Sequence, residues 1–298
     1  MNLRDLSYLV ALADHRHFGK AADTCFVSQP ALSMQIKKLE RYLGVKLLER
    51  TNKYVLLTDI GMALVEKSRK ILNQIEELRD IANVAKDPYS GELTIGIIPT
   101  VAPYLLPYIM PILSSTFPKL TIYLVEEQTA SIVEKLKAGA LDATILALPI
   151  MGEGFITSSL FKEEFMLAVP NHHSFTKRKT IRQTDLANKQ LLLLEEGHCL
   201  RDQALAVCQH INANESKRFR ATSLETLRHM VASGVGMTLI PKLACRANDG
   251  ITYLAFNQPR PLRVIGMLWR TASAKEKLLN EVAAMIRKKM ETKTNKAP

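Results

Sequence analysis

Four cysteines, Cys25, Cys199, Cys208 and Cys245, carry the richest chemistry in this sequence, and none forms the CxxC pairing of a structural zinc site. Cys199 stands apart by context. It lies in Glu195-Glu196-Gly197-His198-Cys199-Leu200-Arg201-Asp202, directly after the apolar run 191–194 and where a helix should begin. A helix amino terminus, a histidine and a nearby arginine each favour thiolate, the form of cysteine that attacks an electrophile. Cys199 is therefore a candidate nucleophile, against the competing reading of an inert, partly buried thiol. Cys25 and Cys245 are assigned to packing, as small buried hydrophobes.

Cys208 follows nine residues after Cys199. If the segment between them is helical, a rise of 1.5 Å per residue separates their Cα atoms by about 13 Å, whereas a disulfide tolerates about 7 Å at most. Bonding the two would then require the segment to unwind or shift, so oxidation would be coupled to conformation. Ala204, Leu205, Ala206 and Val207 support that helix.

The chain that must position these groups has 298 residues, room for roughly two domains. Hydrophobic residues make up 47% and charged residues 23%, with 13 Gly and 13 Pro, which excludes a disordered or collagen-like chain and provides a sizeable core. An excess of 40 Lys and Arg over 29 Asp and Glu gives a net charge of +11, favouring a polyanionic partner such as nucleic acid. Arg4 and Asp5 at the start, and Asp14 and His15 soon after, do not make a secretory pattern, so a cytoplasmic location is expected. The uncharged stretch 93–118 exceeds the ~20 residues of a membrane span. Pro99, Pro103, Pro107 and Pro111 turn it instead into a buried strand, a loop and a proline-bearing helix, so no membrane partner is expected.

Leu6, Leu9, Val10 and Ala13 give a first amphipathic helix over 3–13. A short helical segment over 19–25 carries Ala21 and Ala22, and Ser28 caps a third helix that begins Gln29-Pro30 and ends at Gly44. Residues 46–57, around Thr51-Asn52-Lys53, read as a hairpin or wing. Thr58 caps a long helix to about residue 85, along which Leu64, Ile71 and Leu78 repeat every seven residues with Ile75 and Ala82 beside them; such a stripe wants a partner helix, although Ser68 interrupts it. Asp87-Pro88-Tyr89-Ser90-Gly91 marks a boundary. Beyond it, the apolar runs 93–98, 121–125 and 144–148 alternate with segments of helical length, the signature of parallel α/β architecture. A second set, 165–169, 191–194, 237–240 and 264–269, predicts another lobe, closed by a charged helix over 274–290. The expected domains are 1–58, 59–90 and 91–298, the last with a cleft between its lobes.

The segment Ala21-Ala22-Asp23 through Ser28-Gln29-Pro30-Ala31-Leu32-Ser33, with Ile36, Leu39-Glu40, Leu43-Gly44, Leu47-Leu48 and Arg50, resembles the helix-turn-helix signature of LysR-type transcription regulators. Ala21, Ala22, Ile36 and Leu39 are suited to pack the helices. Gln29, Pro30, Ala31, Ser33, Gln35 and Lys37 are left as candidates for the DNA-facing side, where Gln can read adenine edges and Lys and Ser hold phosphates. Arg50 and Lys53 are candidates at the wing. Residues 1–60 hold nine Lys or Arg against six Asp or Glu, so the motif, more than the charge, carries this reading.

A more specific likeness covers nearly the full length. Gly197-His198-Cys199-Leu200-Arg201-Asp202-Gln203-Ala204 with Cys208, Ile98-Pro99-Thr100-Val101 with Pro103-Tyr104-Leu105-Leu106-Pro107, and Ala221-Thr222-Ser223-Leu224-Glu225-Thr226-Leu227-Arg228 resemble the peroxide-sensing members of that family. The resemblance implies a winged helix-turn-helix, a linker helix and a two-lobed effector domain like the periplasmic binding proteins. It also implies that Cys199 is the peroxidatic cysteine, that Cys208 resolves it as a disulfide, and that a tetramer activates antioxidant genes. On that footing Thr100 and Thr129 are candidates to hold peroxide or a water at the carboxyl ends of strands. His198 is a candidate to donate to an oxygen as the O–O bond breaks, Asp202 to relay a proton, and Arg228 to orient an acid or stabilise charge. Arg263 is set against a cleft arginine of the family. Arg218 stands where some relatives have histidine, so no proton-handling role is carried to it. No cofactor or metal is implied. The competing readings are a regulator that binds a small organic effector without thiol chemistry, and a thiol peroxidase, which leaves the helix-turn-helix unexplained.

Overall fold

A computed structural model describes residues 1–50, 55–210 and 214–294. The chain divides into two units, Met1–Ala82 and Asn83–Pro298.

In the first unit, α1 (Leu3–His15) opens with a capping box in which Asn2 and Asp5 each accept the other's backbone N–H. The imidazole of His17 accepts the N–H groups of Gly19 and Lys20 and so starts α2 (Phe18–Thr24). α3 (Gln29–Leu43) is capped by Ser28, carries Pro30 in its first turn and stops at Gly44, whose φ of +71° an L side chain resists. β1 (Leu48–Arg50) and β2 (Val55–Leu57) form the antiparallel wing. Thr58 accepts the Gly61 N–H at the start of α4 (Asp59–Lys86). Leu9, Leu12, Ala21, Ala22, Leu32, Ile36, Leu39 and Leu47 make the core, including all four residues expected to pack the helices. Ile71 and Leu78 of the α4 stripe are exposed.

The second unit contains β3 (Gly91–Ile97), α5 (Ala102–Thr116), β4 (Leu120–Glu126), α6 (Thr129–Lys137) and β5 (Ala143–Leu148). There follow β6 (Phe155–Pro170), β7 (Thr180–Ile181), β8 (Gln190–Leu194), α7 (Cys199–His210), β9 (Asn214–Ala221) and α8 (Leu224–Ala232). The chain closes with β10 (Thr238–Pro241), β11 (Ile251–Phe256), β12 (Leu262–Arg270) and α9 (Glu276–Thr294). Pro103, Pro107 and Pro111 recur every four residues on the exposed side of α5, opposite the buried Leu105, Ile109 and Leu113. The hydrogen bonds they forfeit therefore concern a wet face and leave the packed one intact.

The main sheet runs β4-β3-β5-β12-β6-β11-β7, with β10 also on β6. The sheet is mixed: β4, β3 and β5 are parallel as expected, as are β11 and β7, whereas β12 is antiparallel to β5 and β6, and β10 and β11 are antiparallel to β6. β6 also starts ten residues before the run 165–169, because its first half is half-exposed and interleaves Thr, Ser, Lys and Glu. That first half pairs with β12 in one lobe, and its second half pairs with β10 and β11 in the other. One lobe buries Leu93, Ile95, Ile132, Ile145, Trp269 and Val282. The other buries Phe165, Leu167, Leu192, Leu200, Leu227 and Phe256. β8 and β9 form a separate parallel pair joined by α7, linked to β10 by a bridge between Leu191 and Met237.

Candidate functional site

The carboxyl ends of the parallel strands build one wall of the site. Ile97 pairs with Glu126 at the last rung of β3 and β4, and Glu127 donates back to the Ile97 carbonyl at 3.3 Å. Thr100 and Thr129 thus lie three residues beyond paired strand ends, Thr129 as the first residue of α6. Thr100 is buried; its hydroxyl accepts from Arg263 Nη1 and its carbonyl from Nη2, both at 3.1 Å.

The opposite wall is the turn from β8 into α7. Gly197 has φ +92°, and a Cβ there would stand 2.3 Å from Gln128 Oε1. Glycine takes this φ without strain, and the turn rests against the side chain of Gln128, the residue before Thr129. His198 is buried, whereas Cys199 is half-buried and opens α7. Although its helix belongs to the second lobe, Cys199 packs against the core of the first. The sulfur sits at the seam between lobes, on a helix amino terminus that favours negative charge.

α7 is continuous from Cys199 to His210, so Cys208 falls on the same helix, about 13 Å from Cys199 between Cα atoms at the α-helical rise. Among the described residues, Thr129 Oγ1 and Gln203 Oε1 are buried side-chain atoms without a hydrogen-bond partner. Gln203 belongs to the motif around Cys199, where the sequence alone assigns it no role. Its signal was the four-residue spacing from Cys199, which sets both side chains on one face of a helix.

Of the two charged residues that follow Cys199 most closely, Arg201 is engaged elsewhere. Arg201, the arginine nearest Cys199 in sequence, forks onto both Glu215 carboxylate oxygens at 2.7 Å and donates to the Leu194 carbonyl at 3.0 Å. This pairing raises the hold of Arg201 on its proton and pulls the Glu215 carboxyl below the usual carboxylate range. Its guanidinium is therefore committed to Glu215 of β9 and to the Leu194 carbonyl, and not to Cys199 as its place in the sequence suggests. Asp202 is exposed in the first turn of α7, where its charge suits the helix dipole.

Arg228 is buried within an acid cluster. It donates to both oxygens of Glu225 at 3.0 Å, to the Tyr253 hydroxyl at 3.3 Å and to Asp249. Tyr104, from α5, donates to Glu225 at 2.6 Å, joining the first lobe's helix to the second lobe's core. Burial opposes ionisation of Glu225 and Asp249, but hydrogen bonds from Tyr104 and Arg228 to the one, and from Tyr253 and Arg228 to the other, outweigh it and hold both carboxyls low. Burial also pushes the Tyr253 hydroxyl up to about 12.

In the first unit, Gln29, Pro30 and Lys37 are exposed along α3, while Ala31, Ser33 and Gln35 are half-buried. Arg50 ends β1, and Lys53 lies outside the described residues. Burial raises the thiol of half-buried Cys25. Burial, then the charge of Glu163, pushes Cys245 up to about 12. Among the described residues, no group of three or more His, Cys, Asp or Glu is placed to hold a metal ion, and no helix is long and apolar enough to cross a membrane.

Residues 3–62 match the family described as bacterial regulatory helix-turn-helix protein, lysR family, and residues 86–291 match the LysR substrate binding domain. A winged helix-turn-helix joined to a two-lobed α/β domain defines the class. The DNA-binding transcriptional dual regulator OxyR of Escherichia coli K12 is 50% identical over 98% of this chain and 96% of its own length. The hydrogen peroxide-inducible genes activator of Pectobacterium carotovorum is 49% identical over 98% and 97%. Among solved structures, a cysteine-to-aspartate variant of full-length OxyR from Pseudomonas aeruginosa superposes with a TM-score of 0.76 at 38% identity, covering 96% of this chain and 95% of that one. The oxidised form of an OxyR gives 0.64 at 48% identity, covering 69% and 98%. The chain belongs to the LysR family of bacterial regulators and, within it, to the group of the OxyR proteins.

Proposed function

We propose that this chain is a DNA-binding transcription activator that senses hydrogen peroxide through Cys199 and Cys208. The observation that carries the reading is a half-buried thiol on the first turn of α7, at the seam between lobes, with the second thiol on the same unbroken helix. The Cys199 thiolate attacks one peroxide oxygen and the O–O bond breaks. The departing hydroxide takes a proton to become water, leaving sulfenic acid on Cys199. The Cys208 thiol then attacks that sulfur and expels a second water as the disulfide forms. The helix must give way for the sulfurs to meet, which converts chemistry into conformation.

Thr100, Thr129 and His198 supply hydrogen bonds to the peroxide, Asp202 relays a proton at the helix start, and Arg228 orients the acids Glu225 and Asp249. Residues 1–58 bind DNA: Gln29, Pro30, Ala31, Ser33, Gln35 and Lys37 face the major groove, and Arg50 and Lys53 reach the flanking backbone. Residues 59–90 form the linker and dimerisation helix, and residues 91–298 form the sensor. The regulator works as a cytoplasmic tetramer and reacts once per signal, without steady turnover.

A brief peroxide pulse followed by peptide mass spectrometry tests this. The expected product is a Cys199 to Cys208 disulfide, and Cys199→Ser should abolish the peroxide response while DNA binding persists. Equal responses from variant and wild type would overturn the reading.

A further inference from the structure

The orientation of Thr100 is fixed from behind. A guanidinium has only donors, so in its 3.1 Å bond with Arg263 the Thr100 hydroxyl is the acceptor, and its own hydrogen is left to donate toward another group. Behind Arg263 stands Glu163, its cross-strand partner in the β6 and β12 register. Glu163 Oε2 accepts the Arg263 Nε–H at 2.7 Å, while Oε1 accepts the backbone N–H of Leu243 at 3.0 Å. The side chains of Arg263 and Glu163 are 1% and 4% exposed, so water does not compete for these bonds. Glu163 lies where β6 leaves β12 for β10 and β11, and Leu243 packs against the cores of both lobes.

We propose that Glu163 is a positioning residue for the peroxide reaction, an inference that rests on the reading of Cys199 as the reacting cysteine. One carboxylate oxygen aligns Arg263, which makes Thr100 a hydrogen-bond donor. The other fastens the same assembly to the second lobe at Leu243. A donor set this way counts most when the O–O bond breaks and negative charge gathers on the departing oxygen. Glutamine cannot replace Glu163: it has one acceptor oxygen where two donors converge, and its amide hydrogens would face either Arg263 or the Leu243 N–H.

The test compares two reactions of Cys199 in the full-length protein, each followed by mass spectrometry of its peptide. Hydrogen peroxide needs a donor for the departing oxygen; iodoacetamide needs only thiolate and access. Glu163→Gln should slow the peroxide reaction about ten-fold or more while alkylation stays within about two-fold of wild type. Glu163→Asp, which keeps both acceptors but draws them back by one methylene, should slow the peroxide reaction about three- to five-fold, less than Glu163→Gln, with alkylation again unchanged. A peroxide rate for Glu163→Gln within about two-fold of wild type, or equal slowing with both reagents, overturns the proposal. If Glu163→Gln does not accumulate as folded protein, Glu163→Asp decides by the same pair of rates: peroxide-selective slowing supports the proposal, and parity or equal slowing overturns it. A wild-type Cys199 inert to peroxide overturns the underlying reading together with this one. A reactive wild type with an indifferent Glu163→Gln overturns this one alone.

Discussion

Gly197 does two things at one position: it adopts φ +92° and it admits Gln128, whose Oε1 would stand 2.3 Å from a Cβ. Gly154 has a comparable φ of +85° with nothing within 4 Å of a Cβ, so it separates strain from collision. Gly197→Ala should cost at least about 1 kcal/mol and more than Gly154→Ala, and it should also slow the peroxide reaction of Cys199 by shifting the turn away from α6. Thermal melting and the rate of thiol loss check this; equal losses of stability in the two variants, with Cys199 unaffected, would refute it. At this scale the sequence displays the candidate thiol, the histidine beside it and the glycine before it, because all are local. It could not display the partner of Arg201, since Glu215 lies on the far side of α7 and is brought back only by β9. Glu163 was illegible for the same reason: its partner Arg263 is 100 residues away along the chain.

At the level of elements, α7 is the part expected to change. Amides across 199–210 should be protected from hydrogen exchange in the reduced protein and gain exchange once the disulfide forms, while β6 and β12 keep their protection. Protection of α7 unchanged by a proven Cys199 to Cys208 bond would contradict a switch driven by helix disruption. The elements most legible beforehand were those with strong punctuation: the Ser28 cap, Pro30 in the first turn and Gly44 at the end set α3 by local geometry alone. β9 escaped notice because Glu215, Lys217, Arg218 and Arg220 give it no apolar run, and its pairing with β8 is a tertiary event. The antiparallel placement of β12 was equally hidden, since strand direction depends on where distant segments meet and not on the composition of either.

For the whole molecule, the low carboxyls of Glu215, Glu225 and Asp249 link stability to pH. A group whose folded pKa lies below its unfolded value contributes stability above the unfolded pKa and loses it as pH falls through the folded one. The melting temperature should therefore hold between neutral pH and about pH 5 and decline below about pH 4. Glu225→Gln should soften that decline, because it removes one of the three carboxyls; an identical acid slope in wild type and variant would show that the Tyr104, Glu225 and Arg228 cluster contributes nothing to it.

The β8 and β9 pair shares the second lobe's apolar core through Leu191, Leu192, Leu193 and Leu194, yet its hydrogen bonds to the main sheet are few: the bridge from Leu191 to Met237, the Leu192 N–H to the Met237 carbonyl at 2.8 Å, and the Thr238 hydroxyl to the Leu192 carbonyl at 2.6 Å. Among the described residues, no strand of the broad sheet is laddered to β9, so a rearrangement of α7 and its two flanking strands would leave the ladders from β4 to β7 in place. If Cys199 and Cys208 join as proposed, reduction would then have only that small pair and its helix to rebuild, on a frame left standing.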